Sequence, residues 1–388
     1  MAIRNRFSEL LPEITAWRRD IHENPELLFE TTRTSQFVAD RLAEFGCDEI
    51  VTGIGRTGVV ALVKGRSDSK GKVVGLRADM DALPIEEATG LPYASKTPGV
   101  MHACGHDGHT AMLLGAAKYL AETRNFDGTV AVIFQPAEEG GGGGLEMCKD
   151  GMMERFGIDE VYGMHNWPGR PIGTFAIRPG PFFAATDTFE IVIEGKGGHA
   201  AKPNETVDSI VMAAQCVTNL QTIAARNADP VEQIVVSVTS FESSSKAFNV
   251  IPQSVTLRGT VRTLTPQMRA LGRDRIHDIC THTAAVFGGV AHITYIEGYP
   301  ATVNHEAETK FAAEAATKVA GECDFAPLVM GGEDFSYMLE ERPGAYILMG
   351  NGDGASVHHP EYNFNDEAIH AGCSWWVEMA ETRLGTTQ

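Results

Sequence analysis

Residues 188–194 read Thr188-Phe-Glu-Ile-Val-Ile-Glu194, with polar and apolar side chains in alternation. A two-residue period marks a strand with one buried face and one wet face. The stretches before it are different. Residues 59–63, 73–76, 129–134 and 161–164 are short, nearly unbroken apolar runs, as expected of parallel strands covered on both sides. Between them, residues 108–122 place Met112, Leu113, Ala116, Ala117 and Leu120 on one helical face. After residue 194 the order is a helix at 206–225, strands at 233–241 and 254–261, a helix at 266–287 and a strand at 291–296. Strand, helix, strand, strand, helix, strand is the ferredoxin-like split βαβ order. A helix at 306–321 and a strand at 345–349 then resume the earlier style. The expected fold is therefore α/β. A larger domain, residues 1–183 and 298–388, has a mostly parallel central sheet with helices on both faces. A ferredoxin-like α+β domain at 184–297 interrupts it. Two domains also suit 388 residues at roughly 150 per domain.

Hydrophobic residues make up 43% of the chain and charged residues 21%, which excludes a disordered protein. The formal charge is −19. A chain this acidic has little pull towards nucleic acid or anionic lipid, so neither is expected as a partner. No apolar run reaches the roughly 18 residues of a membrane span. The opening residues, MAIRNRFSELLPEITAW, lack the apolar core of a signal peptide. They read as an amphipathic helix carrying Phe7, Leu10, Leu11, Ile14 and Trp17. The seven Cys are odd in number, scattered and without a C-x-x-C pair. A cytoplasmic location is expected.

Several motif-shaped stretches carry little. Gly53-Ile-Gly-Arg-Thr-Gly58 matches G-x-G-x-x-G but opens a strand, whereas the dinucleotide-binding version opens a helix. The run Gly140 to Gly144 lacks the Gly-Lys-Ser/Thr of a phosphate loop.

The stretch richest in chemistry is Met101-His-Ala-Cys104-Gly-His106-Asp-Gly-His109. A thiolate and an imidazole two residues apart cannot share a helix face, but they can converge from a loop on a transition metal. The plainer reading is a buried Cys among ordinary loop histidines. Phe134-Gln-Pro-Ala-Glu138-Glu139-Gly140 puts two carboxylates just after a buried strand, where ligands of α/β sheets gather. Adjacent residues of an extended chain point opposite ways, so one could bind metal while the other faces a reacting water. His165 is expected at a strand end, and His358-His-Pro360 lies in a Gly- and Asn-rich loop. Cys104, His106, Glu139, His165 and His358 would supply five donors to two ions if one donor bridges. Spacing alone leaves that assembly open.

The order of motifs goes further. Arg19-Asp-Ile-His22-Glu-Asn-Pro25-Glu26, Arg77-Ala-Asp79-Met-Asp81-Ala-Leu-Pro84, the 101–109 and 135–140 strings, Gly163-Met-His165-Asn166, Gly197-Gly-His199-Ala200, Asn249-Val-Ile-Pro252, Gly259-Thr-Val-Arg262-Thr263, Gly332-Glu-Asp334-Phe335 and His358-His-Pro360 span nearly the whole chain. Together they resemble the aminoacylase/carboxypeptidase family of metallohydrolases. The branch is that of hippurate hydrolases, N-acyl-amino-acid amidohydrolases and auxin-conjugate hydrolases. The resemblance implies that Cys104, His106, Glu139, His165 and His358 hold two divalent ions and that Glu138 is the catalytic base. It implies that the inserted domain is a lid and dimer interface, making a homodimer or higher oligomer. His199 would reach the partner subunit's site, and Asn249 and Arg262 would hold the substrate. Zinc, manganese, cobalt and nickel all suit such donors.

These roles fit amide hydrolysis. Glu138 takes a proton from water and passes it to the leaving nitrogen. His199, with the metals, would steady the oxyanion. Arg262 matches a free carboxylate, and Asp81 and Asp107 are expected to orient ligand imidazoles. His22 and His109 are expected to be structural. The expected substrate is a small N-acyl or N-aroyl amino acid. Competing readings are a dipeptidase or carboxypeptidase with the same centre, a metal-dependent binding protein, and an amidase with Cys104 as nucleophile.

Overall fold

The structure is a computed structural model and describes residues 2–386. It forms two compact units. The first comprises Met1–Gly180, Val303–Pro327 and Asp334–Gln388, and the second Pro181–Thr302 and Leu328–Glu333.

The first unit is a mixed α/β layer around an eight-stranded sheet. Its strand order is Glu49–Ile54, Gly58–Lys64, Thr129–Gln135, Val73–Asp79, Glu160–Trp167, Gly344–Gly350, Phe175–Ile177, Asp324–Phe325. The four middle strands, from Thr129–Gln135 to Gly344–Gly350, are parallel. Antiparallel pairings extend the sheet on both sides. Thr129–Gln135 and Gly344–Gly350 are buried at every residue, which is why they read as unbroken apolar runs. On one face Val74, Leu76 and Ala78 enter a core shared with Phe7, Ile14, Leu113, Ala117, Ala316, Trp375 and Trp376. These come from helices Ala2–Glu23, His106–Thr123, Glu306–Ala320 and Ile369–Leu384. On the other face Phe335, from helix Phe335–Glu341, packs on Tyr346 with ring centroids 5.3 Å apart.

The N-terminal helix buries Phe7, Leu10, Ile14 and Trp17, with Leu11 partly covered. Residues 55–57 form a turn between strands Glu49–Ile54 and Gly58–Lys64. Among the described residues no helix is long and apolar enough to cross a membrane.

The second unit carries a four-stranded antiparallel sheet ordered Ile234–Ser243, Ser254–Thr263, Ala185–Glu194, Val290–Ile296. Phe189, Ile191, Ile193, Val255, Leu257 and Val261 form its core with Met212, Cys216, Ile276 and Cys280. The last four residues come from helices Ser209–Leu220 and Pro266–Val286. The unit is longer than the 184–297 expected from sequence. The Thr186 amide donates to Tyr299 O, and the Ala184 amide faces Val329 O and Gly331 O. These backbone bonds draw residues up to 302, and 328–333, into it. They involve backbone groups, so side-chain patterning cannot show them.

Candidate metal centre

Chain segments leaving the carboxyl ends of the four parallel strands carry the site, as expected for an open α/β sheet. Val73–Asp79 leads to Asp81, and Thr129–Gln135 leads to Glu138 and Glu139. His165 lies inside Glu160–Trp167, two residues before its end. Gly344–Gly350 leads into the loop of His358. Cys104 comes from the loop before helix His106–Thr123, and His106 is the first residue of that helix. That helix starts two residues earlier than the pattern suggests. Gly105 takes φ +88° at its N-cap, a left-handed conformation that glycine adopts at no steric cost.

These segments converge. Ligand atoms of Cys104, His106 and His165 lie within 4.8 Å of one another, as do those of Cys104, Glu139 and His358. Glu138 joins His106 and Glu139 in a third group of the same tightness. Cys104 is common to the first two groups, which together hold all five donors. A donor common to both groups could serve both ions.

The hydrogen bonds prepare the imidazoles as ligands. His106 Nδ1 lies 2.8 Å from the Asp81 carbonyl. Donating there turns Nε2 towards the site, and among the described residues this buried atom has no hydrogen-bond partner, so loss of its proton to an incoming ion would free its lone pair. His165 Nδ1 likewise donates to the Asn166 carbonyl at 2.6 Å, leaving Nε2 facing Cys104 Sγ at 3.3 Å. A carbonyl that fixes the tautomer is the usual support of a metal-binding histidine. The backbone amide of His358 donates to Ala103 O at 2.7 Å, and its Nε2 lies 3.1 Å from Glu139 Oε1.

Glu138 and Glu139 correct the expectation from an extended chain. Ala137 has φ +54°, so the chain turns sharply after the strand and both carboxylates approach His106. The Asp81 carboxylate fastens the turn, accepting from the amides of Glu138 at 2.9 Å and Glu139 at 3.1 Å. His358, at φ +65°, is a second non-glycine in the left-handed region. Such conformations persist where surrounding contacts enforce them, and they gather at functional sites.

Charge at the site favours a cation. Burial pushes the Cys104 thiol well above its ordinary pKa, and Glu139, Glu138 and Asp79 add to the rise. Burial also lowers His165 well below the usual imidazole value. At His106 burial acts downward, but Asp79, Asp81 and Glu139 outweigh it and raise the group to about 10. Glu139 is pulled down against burial by His358 and His106. The orphaned His106 Nε2, the Cys104–His165 contact and the mixed N, O and S donor set all fit first-row divalent ions. Binding such an ion would displace the thiol proton of Cys104 and the second proton of His106.

Asp107 does not orient a ligand imidazole. Its carboxylate contacts His22 Nδ1 at 2.8 Å and Arg18 Nη1 at 3.5 Å. Side chains three apart share a helix face. His106 and His109 therefore stack at 5.5 Å, while Asp107 turns towards the N-terminal helix. Asp81 supports His106 chiefly through its carbonyl, since its carboxylate oxygen is 3.5 Å away. The missed carboxylate is Asp79. It accepts from His109 Nδ1 at 2.6 Å, lies 3.7 Å from His106 Nε2 and pairs with buried Arg77 at 2.8 Å. The signal available was the alternation Arg77-x-Asp79 in an otherwise apolar strand.

His199, Asn249 and Arg262 belong to the second unit. His199 is exposed on the short strand Gly198–His199, opposite Val250, and Asn249 O accepts from the Ala200 amide. Arg262 is half-buried on Ser254–Thr263 and bonds Thr260 Oγ1 and Val261 O. Among the described residues no carboxylate forms an ion pair with it.

The chain matches the model of Peptidase family M20/M25/M40 over residues 75–382. It is 42% identical over 377 residues to a hippurate hydrolase of Campylobacter jejuni, covering 96% of this chain and 97% of that one. It is 40% identical over 353 residues to thermostable carboxypeptidase 2 of Saccharolobus solfataricus, covering 90% and 88%. Among solved structures it resembles the Bacillus subtilis YXEP protein, described as a dinuclear metal-binding peptidase of the M20 family. The TM-score is 0.86 and the identity 36%, covering 98% of this chain and 100% of that one.

Proposed function

The chain belongs to peptidase family M20/M25/M40, and from that premise we propose that it hydrolyses the amide bond of N-acyl amino acids with two divalent metal ions. The protein is an amidohydrolase. Water adds across the amide, giving a carboxylic acid and a free amino acid. The observation that carries this reading is the convergence of Cys104, His106, Glu139, His165 and His358 beside Glu138. That the hippurate hydrolase matches almost end to end supports an N-aroyl or N-acyl substrate.

Bound ions would acidify a water and polarise the scissile carbonyl. The chain supplies the rest. Glu138, fixed through its amide by Asp81, takes the water's proton and returns it to the departing nitrogen. A separate base explains why the two carboxylates meet at one place: Glu139 is a ligand and Glu138 stays available for the proton. Arg262, without an ion-pair partner among the described residues, holds the substrate carboxylate, with Asn249 on its amide. His199 steadies the oxyanion from the partner subunit of a homodimer formed through the second unit. Zinc, manganese, cobalt and nickel are the ions the donors suit.

A second reading, carboxypeptidase or dipeptidase, is favoured by the match to the Saccharolobus solfataricus enzyme. Comparing kcat/KM for hippurate, N-acetyl amino acids and dipeptides under one metal condition separates the two. Hippurate or an N-acetyl amino acid should be the better substrate by at least about tenfold, roughly 1.4 kcal/mol of transition-state preference. Faster dipeptide turnover would establish the second reading.

A further inference from the structure

Asn166 follows a proposed ligand and has no assigned part in the reaction, yet every polar atom it carries is engaged inside the site. Its backbone amide donates to His109 Nε2 at 3.0 Å, and its carbonyl accepts from His165 Nδ1 at 2.6 Å. Side-chain Nδ2 donates to the Cys104 carbonyl at 2.6 Å and lies 3.0 Å from His109 Nε2. Side-chain Oδ1 accepts from the Tyr362 hydroxyl at 2.6 Å. Asn166 and Tyr362 are both fully buried.

The partners matter more than their number. Cys104 is the donor common to both triads, His165 is a strand-borne donor, and Tyr362 stands in the loop that carries His358. One amide therefore joins three segments far apart in sequence, each bearing a donor. The bond pattern also fixes its orientation. A backbone N–H pointing at His109 Nε2 requires a lone pair there, so the His109 proton sits on Nδ1 and goes to Asp79. A donor is then needed towards Cys104 O, and an acceptor towards the Tyr362 hydroxyl. An amide supplies both, whereas a carboxylate or an alkyl group of the same size does not. The surrounding structure keeps the place clear. A Cβ on Gly105 would come within 2.4 Å of both Asn166 Nδ2 and the Tyr362 hydroxyl.

We propose that Asn166 is a positioning residue of the metal centre, setting the relative placement of Cys104, His165 and the His358 loop through its side-chain amide. The proposal rests on the reading that these residues hold metal. Buried bonds of this kind fix their members because a lost partner leaves a desolvated group unpaired. Outer groups that orient ligands affect metal affinity by about 10–100-fold.

The test uses metal-stripped full-length protein titrated with cobalt(II), reading the dissociation constant and the thiolate-to-cobalt charge-transfer absorption. Thermal unfolding of the metal-free proteins is measured alongside. Asn166→Asp keeps size and the acceptor for Tyr362 but replaces the donor with an oxygen facing Cys104 O. It should weaken cobalt binding about 10–100-fold and shift or weaken the thiolate band. Tyr362→Phe removes only the hydroxyl and should move both readouts in the same direction by a smaller factor. A wild-type affinity and band in a folded Asn166→Asp protein would overturn the proposal. If that variant does not fold, an unchanged affinity and band in Tyr362→Phe would overturn it. Absence of the thiolate band in the wild-type protein would instead defeat the metal reading itself, which keeps the two failures apart.

Discussion

Glu138→Gln is expected to lower kcat by about 10²–10⁴-fold, the usual share of a positioned general base, while the protein still takes up its metal. Glutamine has the shape of glutamate but cannot accept and return a proton at neutral pH. The backbone is untouched, so the Glu138 and Glu139 amides keep their bonds to Asp81. All five proposed donors remain. Activity and metal content must therefore separate: turnover falls while metal per chain, measured on the same sample, stays at the wild-type level. Turnover within tenfold of wild type would remove Glu138 from the mechanism. Joint loss of turnover and metal would make it a ligand instead.

Cys104→Ala is expected to cost more, because it removes the donor shared by both triads. Losing an outer partner weakens metal binding about 10–100-fold, and losing the shared ligand should exceed that and abolish turnover. The rival account, with Cys104 as nucleophile, also predicts a dead variant. Cys104→Asp separates them. An aspartate restores an anionic donor that divalent ions accept, so it should regain part of the metal binding and turnover lost in Cys104→Ala. A nucleophilic thiol cannot be replaced this way. An inactive Cys104→Asp protein with wild-type metal content would favour the nucleophile. The thiol's surroundings already argue against that role, since burial and nearby carboxylates raise its pKa, whereas a reactive cysteine needs the reverse.

What was legible in the sequence follows from which interactions are periodic. The four central strands read as apolar runs because both faces are covered, and their carboxyl ends pointed to Glu138, Glu139 and His165. The alternating 188–194 strand marked the change to a second architecture. The turn at Glu138 was not legible. It depends on Ala137 adopting a left-handed conformation, which no side-chain pattern signals at alanine. Asp107 was given an orienting role and Asp79 was missed for a related reason. With the helix start misplaced by two residues, the face shared by His106 and His109 was not visible, and Asp107 looked closer to the ligands than it is. Asn166 and Tyr362, 196 positions apart, meet only in the folded chain.

The central claim is that this chain cleaves N-acyl amino acids through a two-ion site. Its most direct test is hippurate turnover by chelator-stripped protein titrated with manganese or zinc. Turnover should be lost on stripping and should rise to a plateau at about two ions per chain, the number that two ion positions sharing one water imply. Full turnover by stripped protein, indifferent to added metal, would contradict the account.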